Sequence, residues 1–600
     1  MKFVALKGRW ALAAACVCVL TSAGHTQSLL RTVNGPALNA LYGRACIVLS
    51  DQNGDGYKDL LVGAPGFNQQ RGAVYCLSGA YLATGTGTQT LWSVVPTANP
   101  GDQFGYALAD LGDMTGDGAS DFLVGQPGYD LANQNDVGAV RFINGSTHAV
   151  ASLINETATG CAFGSAIAGC GDVDGDGRSE VAVGAPGPLA TFSTVWVLLG
   201  AHLHQSQSAQ SAQFSHRFVS GPGFGTSIAS GFDLNGDGRQ EIAVGYPDWD
   251  EPGAGNCGRV VLLSTSIASL FVVNGYTPSI PGERFGQSLD AAHDYDGDGV
   301  VDLVVGAPNA LDASAGEAGR VALVSGARLW AQTLPYEFRT LPLGFGTNGF
   351  GYHFGAAVRA SADLNGDGVG EILVGAPDYF TIGGGGTLQS KGLVSVYSGS
   401  TATRWNLIAG SNTDLLGDGL AGAVDDLDGD GLNEFVVAGS RSDSGGADSG
   451  VLKCYRLNPV PPASYCTGKV NSLGCTPQID SSGSPSASSG APFLVSASNV
   501  VNQKVGLLIY SHQPSAVVFQ GGTKCVGIPT RRTPPQSSGG STSGADCSGT
   551  FGFDFNGWIG NGSDPSLVAG AELFTQYWSR DPQSPSHTSL SNALRFLINP

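Results

Sequence analysis

The sequence predicts an all-β chain: a seven-bladed β-propeller followed by a smaller β-rich domain. Three observations predict it. An acidic, glycine-kinked loop recurs seven times, with starts 59 to 69 residues apart. Each copy runs straight into a short apolar segment, read LLVGAP, FLVGQP, VAVGAP, IAVGYP, LVVGAP, ILVGAP and FVVAGS in chain order. Each copy also follows an aromatic–glycine pair or a close variant of one. A fixed period repeated this often means one supersecondary unit stacked many times.

Composition agrees. The chain has 600 residues, 91 of them glycine, and only 13% are charged, which suits β structure with many turns. The formal net charge of −20 argues against nucleic acid or an anionic membrane as partner. About half of the 49 Asp and Glu lie in the seven loops, so bound divalent cations would cancel most of that charge.

The first residues read as a secretory signal over 1–24. Lys2, Lys7 and Arg9 form the positive region, 11–20 is apolar, and 21–24 offers small residues for cleavage. The apolar stretch is too short to span a membrane, and the sequence shows no other transmembrane segment. The expected location is secreted, extracellular or on the cell surface. Exported cysteines usually form disulfides. Sequence neighbours suggest Cys46 with Cys76, Cys161 with Cys170, Cys466 with Cys475 and Cys525 with Cys547. Cys257 and Cys454 are left over, and spacing does not determine the connectivity.

Each repeat reads as four strands. The first carries the pairs Phe104-Gly105, Phe163-Gly164, Phe224-Gly225, Phe285-Gly286 and Phe354-Gly355, weakened to Tyr42-Gly43 and Leu416-Gly417. The second is the apolar run after each loop, which suits a strand buried on both faces. The third alternates, as at 73–77 and 394–397. The fourth is shorter and more polar, as at 91–95 and 405–408. Apolar-to-polar progression suits the inner-to-outer order of a propeller blade. The seventh repeat runs into Asn458-Pro-Val-Pro-Pro462 before a fourth strand. A spare one lies at 29–35, so 29–33 is expected to pair near 451–456 and protect that edge.

The loops fit D-x-[DN]-x-D-G-x-x-[DE]. Positions 1, 3, 5 and 9 offer side-chain oxygens: Asp51, Asn53, Asp55 and Asp59 in the first loop, and Asp113, Thr115, Asp117 and Asp121 in the second. The third has Asp172, Asp174, Asp176 and Glu180, and the fourth Asp233, Asn235, Asp237 and Glu241. The fifth has Asp294, Asp296, Asp298 and Asp302. The sixth has Asp363, Asn365, Asp367 and Glu371, and the seventh Asp426, Asp428, Asp430 and Glu434. Position 7 would add its backbone carbonyl, and glycine at position 6 permits the sharp turn. Calcium takes six to eight oxygens in flexible geometry, whereas magnesium demands a tight octahedron and zinc prefers nitrogen and sulfur. The expectation is about five to seven Ca²⁺ per chain, weakest at Thr115.

Together, Phe-Gly, the calcium loop and Gly-Ala-Pro resemble the FG-GAP repeat of integrin α-subunit N-terminal propellers, over roughly residues 28–458. The resemblance implies a seven-bladed propeller with calcium at the Asp, Asn and Glu positions just named. Glu often replaces Asp at position 9, and nothing resembles the integrin legs or anchor. Phospholipase D enzymes specific for glycosylphosphatidylinositol anchors carry similar repeats, with activity in a separate zinc domain not found here. Residues 459–465 read as a proline-rich linker. Residues 466–600 read as a β-rich domain, a β-sandwich stapled by four cysteines.

The expected function is a non-catalytic adhesion or ligand-binding module for an extracellular protein or glycan. The alternative is a polysaccharide-active enzyme or lectin with its site at the propeller mouth. No catalytic set is found: Gly-x-Ser-x-Gly after a strand is absent, and the close pair His202 and His204 lies in a polar stretch. Ligand docking is expected on the face opposite the calcium loops, on Tyr129, Trp249, Tyr276, Phe345, Phe350, Tyr352, Tyr379 and Phe380.

Overall fold

The computed structural model describes residues 26–598 apart from 188–192, 205–206, 209–213, 254, 265–269, 274–280, 292, 313–315, 318, 342–351, 365–368, 383–387, 403, 412–413, 424–432, 459–461 and 569–570. The expected signal lies outside the described residues. The chain is almost all-β, and its repeats are consistent with a β-propeller. Among the described residues no helix is long and apolar enough to cross a membrane.

Each acidic repeat contributes one antiparallel sheet. The first holds Cys46–Leu49, Asp59–Ala64, Ala73–Leu77 and Thr90–Val94 in that order. The next five repeat the pattern, and the second sheet gains a short parallel strand, Gln207–Ser208. The second strands are buried along their whole length, which explains their unbroken apolar sequence. The first strands touch in cyclic order. Cys46–Leu49 lies against both Leu108–Gly112 and Gly419–Ala423, from the second and the last of these sheets.

The last of these sheets takes its outer strand from the other end of the chain. Thr26–Asn34 runs antiparallel to Val451–Asn458, with Leu29 opposite Tyr455 and Val33 opposite Leu452. Val33 enters a core it shares with Leu60, Val62 and Leu452.

The aromatic–glycine pairs correct the expectation that they sit inside the first strands. Each is a joint ahead of the strand. Phe104 bridges to Gly72 of the preceding sheet, and Phe163, Phe285 and Phe354 bridge likewise to Gly138, Gly258 and Gly319. Gly105 has φ +93°, and its N–H donates to the Gly125 carbonyl at 3.0 Å. A Cβ built on Gly63 would lie 2.0 Å from the Gly105 carbonyl oxygen. Glycine therefore meets glycine where neighbouring sheets approach most closely.

The cysteine pairing differs from the nearest-neighbour expectation. The disulfides are Cys466–Cys525 and Cys475–Cys547. Tyr465 brings the first pair together, its hydroxyl donating to the Cys525 carbonyl at 2.7 Å. Cys46 sits opposite Val62 and Cys76 opposite Leu61, so a strand separates them and they face alternate cores. Two strand spacings, about 9–10 Å, exceed the reach of a disulfide. Cys161 and Cys170 likewise enter different cores. Burial pushes the Cys46, Cys161 and Cys170 thiols up to about 12, which leaves them inert.

The C-terminal sheets begin at Ala463–Tyr465, which pairs with Thr588–Leu597 inside the stretch expected as linker. A six-stranded and a three-stranded sheet share one core. In it Phe551 of the smaller sheet stacks on Tyr577 of the larger at 5.2 Å.

A chain beginning at Gly35 would leave Val451–Asn458 with an unpaired edge. It is expected to melt lower and to aggregate. Size-exclusion chromatography and thermal melting check this; a monomer with unchanged melting contradicts it.

Candidate metal loops

The loops share one hydrogen-bond plan, built from position 9 upward. Asp59, Asp121, Glu180, Glu241, Asp302, Glu371 and Glu434 are all fully buried at the start of the second strand or just before it. In the six loops where position 2 is described, its backbone N–H donates to this carboxylate, from Gln52, Met114, Val173, Leu234, Tyr295 and Leu364. In four loops the other carboxylate oxygen accepts an N–H from the turn after the third strand. The donors are Gly79 to Asp59 at 2.9 Å, Gly145 to Asp121 at 2.8 Å, Gly200 to Glu180 at 3.1 Å and Gly326 to Asp302 at 3.0 Å. Asp and Glu make the same contacts, so the longer arm of Glu does not change the plan.

Position 1 closes the turn. Asp51 accepts the N–H groups of Gly54 and Gly56, both at 2.7 Å, and Asp113, Asp172, Asp233 and Asp294 repeat this. Position 5 accepts the position 7 N–H, as Asp298 does from Val300 at 3.0 Å. Backbone amides therefore fix the orientation of the carboxylates at positions 1, 5 and 9.

The charges are arranged at some cost. Burial pushes Glu241 and Asp302 up to about 7, and it also raises Asp59 and Glu180. At position 1 burial works in the same direction, but backbone N–H groups outweigh it and hold Asp51 and Asp233 below the usual carboxylate range. Asp172, Asp174 and Glu180 bring carboxylate oxygens within 4.8 Å of one another, and so do Asp294, Asp296 and Asp302. An all-oxygen set of this spacing fits a hard divalent cation, which would neutralise the buried charge. Asn53 and Asn235 supply amide oxygens at position 3 instead of a fourth acid in their loops. Asn365, Asp367, Asp426, Asp428 and Asp430 lie outside the described residues.

The second loop departs from the plan. Asn144 donates to Thr115 at 3.1 Å and to Asp117 at 2.6 Å, and Ser146 also donates to Asp117. The side chains of Asn144 and Ser146 hold Asp117 down to about 2. Part of its ligand capacity is thus spent inside the protein.

Two features escaped the sequence reading. One is the apolar peg at position 2: Leu234, Tyr295 and Leu364 are buried and anchor their loops in the cores. The other is the glycine after the third strand. A Cβ on Gly79 would lie 1.9 Å from the Lys58 carbonyl oxygen. Both recur in the sequence, the second as Ser78-Gly79, Asn144-Gly145, Ser325-Gly326 and Ser398-Gly399.

The aromatic set expected on the opposite face is largely packed. Tyr352 is 3% exposed and lies 5.2 Å from Tyr379 and 5.7 Å from Phe380. Trp249 covers the Arg259 guanidinium at 3.9 Å and donates to Glu251. Tyr129 is half-buried. These rings cap the sheet ends because each closes over its own loop. Tyr276, Phe345 and Phe350 lie outside the described residues. His202 sits at the end of a short turn and His204 is exposed; neither joins a group of three ligands among the described residues. The structure places His512 2.9 Å from the Ser566 hydroxyl. The nearby acid, Asp564, bonds the serine rather than the imidazole, so this is not the order of a catalytic triad.

The FG-GAP repeat model matches residues 47–77, 163–198, 224–263, 285–324 and 354–397, which contain loops one, three, four, five and six. The chain carries five FG-GAP repeats. It is homologous to integrin α subunits. Integrin alpha-PS2 of Drosophila melanogaster is 33% identical over 184 residues, covering 29% of this chain and 12% of that protein. Integrin alpha-8 of Gallus gallus is 33% identical over 157 residues, or 26% and 14%. Phosphatidylinositol-glycan-specific phospholipase D of Bos taurus is 26% identical over 456 residues, or 68% and 54%. The matched stretch thus spans about half of the phospholipase and less of the integrins. Among solved structures, a chain from the crystal structure of BBS1N in complex with ARL6DN aligns with a TM-score of 0.41 and 12% identity, over 72% of this chain and 98% of that one.

Two outcomes follow from the loops. Gly79→Ala is expected to destabilise the fold by roughly 1–3 kcal/mol, because backbone on both sides must shift; thermal melting measures it. The second concerns pH. Glu241 and Asp302 have folded values of about 7 without metal, above the ordinary carboxylate value. Their contribution is present at acid pH and is lost as pH rises through about 7. Metal-free protein should therefore melt several degrees lower at about pH 8 than at about pH 5.5, and added divalent cation should stabilise it more at the higher pH.

Proposed function

We propose that this chain is a calcium-braced, seven-bladed propeller that acts outside the cell as a non-catalytic adhesion or ligand-binding module. The loop geometry carries the reading: buried position 9 carboxylates, backbone-aimed position 1 and 5 carboxylates, and the acidic triples at 172–180 and 294–302. The cyclic contact of the first strands and the outer strand donated by Thr26–Asn34 support seven blades in a closed ring. Propeller and C-terminal unit divide near residues 458–466, and the two C-terminal disulfides suit an oxidising compartment. The integrin α homology supports an extracellular protein or glycan as ligand.

Calcium here is structural. It would be held by positions 1, 3, 5 and 9 and by the position 7 carbonyl, and would offset repulsion among carboxylates that otherwise opposes folding. The similarity to the phospholipase favours a second reading, an enzyme acting on a glycan-bearing substrate, which assays of polysaccharide and glycolipid breakdown would expose.

Metal analysis at about 1 mM calcium is expected to return about five to seven ions per chain, with the second loop weakest; fewer than about three contradicts the proposal. Chelation should lower the melting temperature by many degrees. Pull-down from cell surfaces should retain ligand with calcium and lose it without.

A further inference from the structure

The seven first strands and the joints ahead of them surround a cavity of about 610 Å³. Each sheet contributes the residue immediately after its aromatic–glycine pair or variant. Six of these are polar: Arg44, Tyr106, Ser165, Thr226, Gln287 and Asp418; the sixth sheet places Ala356 there. This ring lies at the end opposite the metal loops. Arg359 lines the same cavity from the strand Ala357–Ala360.

Of the acids near this ring, Asp136 lines the cavity as an exposed carboxylate, while Asp418 and Asp290 are bonded to the protein. Asp418 accepts the Ser440 N–H at 2.8 Å and its hydroxyl at 2.5 Å. Asp290 accepts the Ala360 N–H at 2.9 Å. The guanidinium of Arg359 is served less well. It reaches Asp290 at 3.5 Å and the Leu420 carbonyl at 3.4 Å, and its buried Nε has no partner. Good N–H···O bonds are about 2.7–3.2 Å, so its donor fork has capacity left. Arg44 donates to the Tyr106 hydroxyl at 3.0 Å, and its charge lowers the Tyr106 pKa. Spare guanidinium donors in a concave, polar site are what a planar oxyanion requires.

We propose that this cavity binds an acidic sugar residue, its carboxylate forked by Arg359 within the field of Arg44 and its hydroxyls bonded by Ser165, Thr226 and Gln287. The volume is that of a small-molecule site. First strands and joints from all seven sheets flank it, a size and shape that suit a single sugar ring. This deepens the ligand-binding reading proposed above by naming the chemistry at one site.

The test is titration of the calcium-loaded full chain with glucuronate, glucose as neutral control, followed by calorimetry and ligand-observed NMR. Glucuronate should bind at least ~10-fold tighter than glucose. Arg359→Gln should weaken glucuronate at least ~10-fold with unchanged melting, and Thr226→Val should weaken both sugars. The proposal is overturned if glucuronate binds no tighter than glucose. It is equally overturned if folded Arg359→Gln binds undiminished, or if an acidic peptide binds as tightly as glucuronate. Should Arg359→Gln not fold, Arg359→Lys, which keeps the charge but loses the planar fork, decides by the same comparison. Cell-surface retention with calcium is read separately, so its persistence without glucuronate binding sinks only the acidic-sugar site.

Discussion

Close approach of backbone to backbone between successive sheets is the constraint on which the rest of this structure depends. At the joint between the first two sheets, Gly63 faces Gly105 with no room for a Cβ on either. The same joint recurs around the cycle. Gly125 meets Gly164, Gly245 meets Gly286 and Gly306 meets Gly355, each at a distance a side chain could not tolerate. The seventh sheet carries Ala438 where the others have glycine, and its methyl is the atom nearest a Cβ built on Gly43. One residue type thus fixes the distance between sheets, and that distance makes the second strands fully buried.

The metal loops answer a second demand set by this geometry. Full burial of the second strands carries the position 9 carboxylate into the interior. An isolated buried carboxylate is costly unless it is bonded or paired. The N–H groups of position 2 and of the glycine after the third strand supply the bonds, and a cation would supply the opposite charge. The loop is thus a solution to burial as well as a candidate cation site. Glu241 and Asp302, both pushed up to about 7 by burial, show the tension that remains without the ion.

At the opposite end of the first strands the same ring of sheets gathers side chains distant in sequence. Arg44 and Tyr106 meet there, with Asp418 close enough for its charge to act on Arg44. Rings such as Tyr352 and Trp249, which in sequence look like ligand contacts, instead close the sheet ends. Among the described residues, this end presents a polar recess rather than an aromatic platform.

The period of the loops, the apolar second strands and the oxygen chemistry of positions 1, 3, 5 and 9 were legible in the sequence alone. Each is written within a dozen consecutive residues and repeated, so local chemistry and periodicity suffice. The spare strand at 29–33 was legible as a missing count in the last repeat. Tertiary structure alone decided which cysteines pair, because Cys46 and Cys76 are close in sequence yet separated by a strand and a face. It alone turned the Phe-Gly pairs from strand residues into joints, because their partners lie in the preceding sheet. It alone assembled the polar ring, whose members come one from each sheet. A contact between residues some sixty or several hundred positions apart leaves no mark on either stretch of sequence, and only the distance between the folded sheets brings it into being.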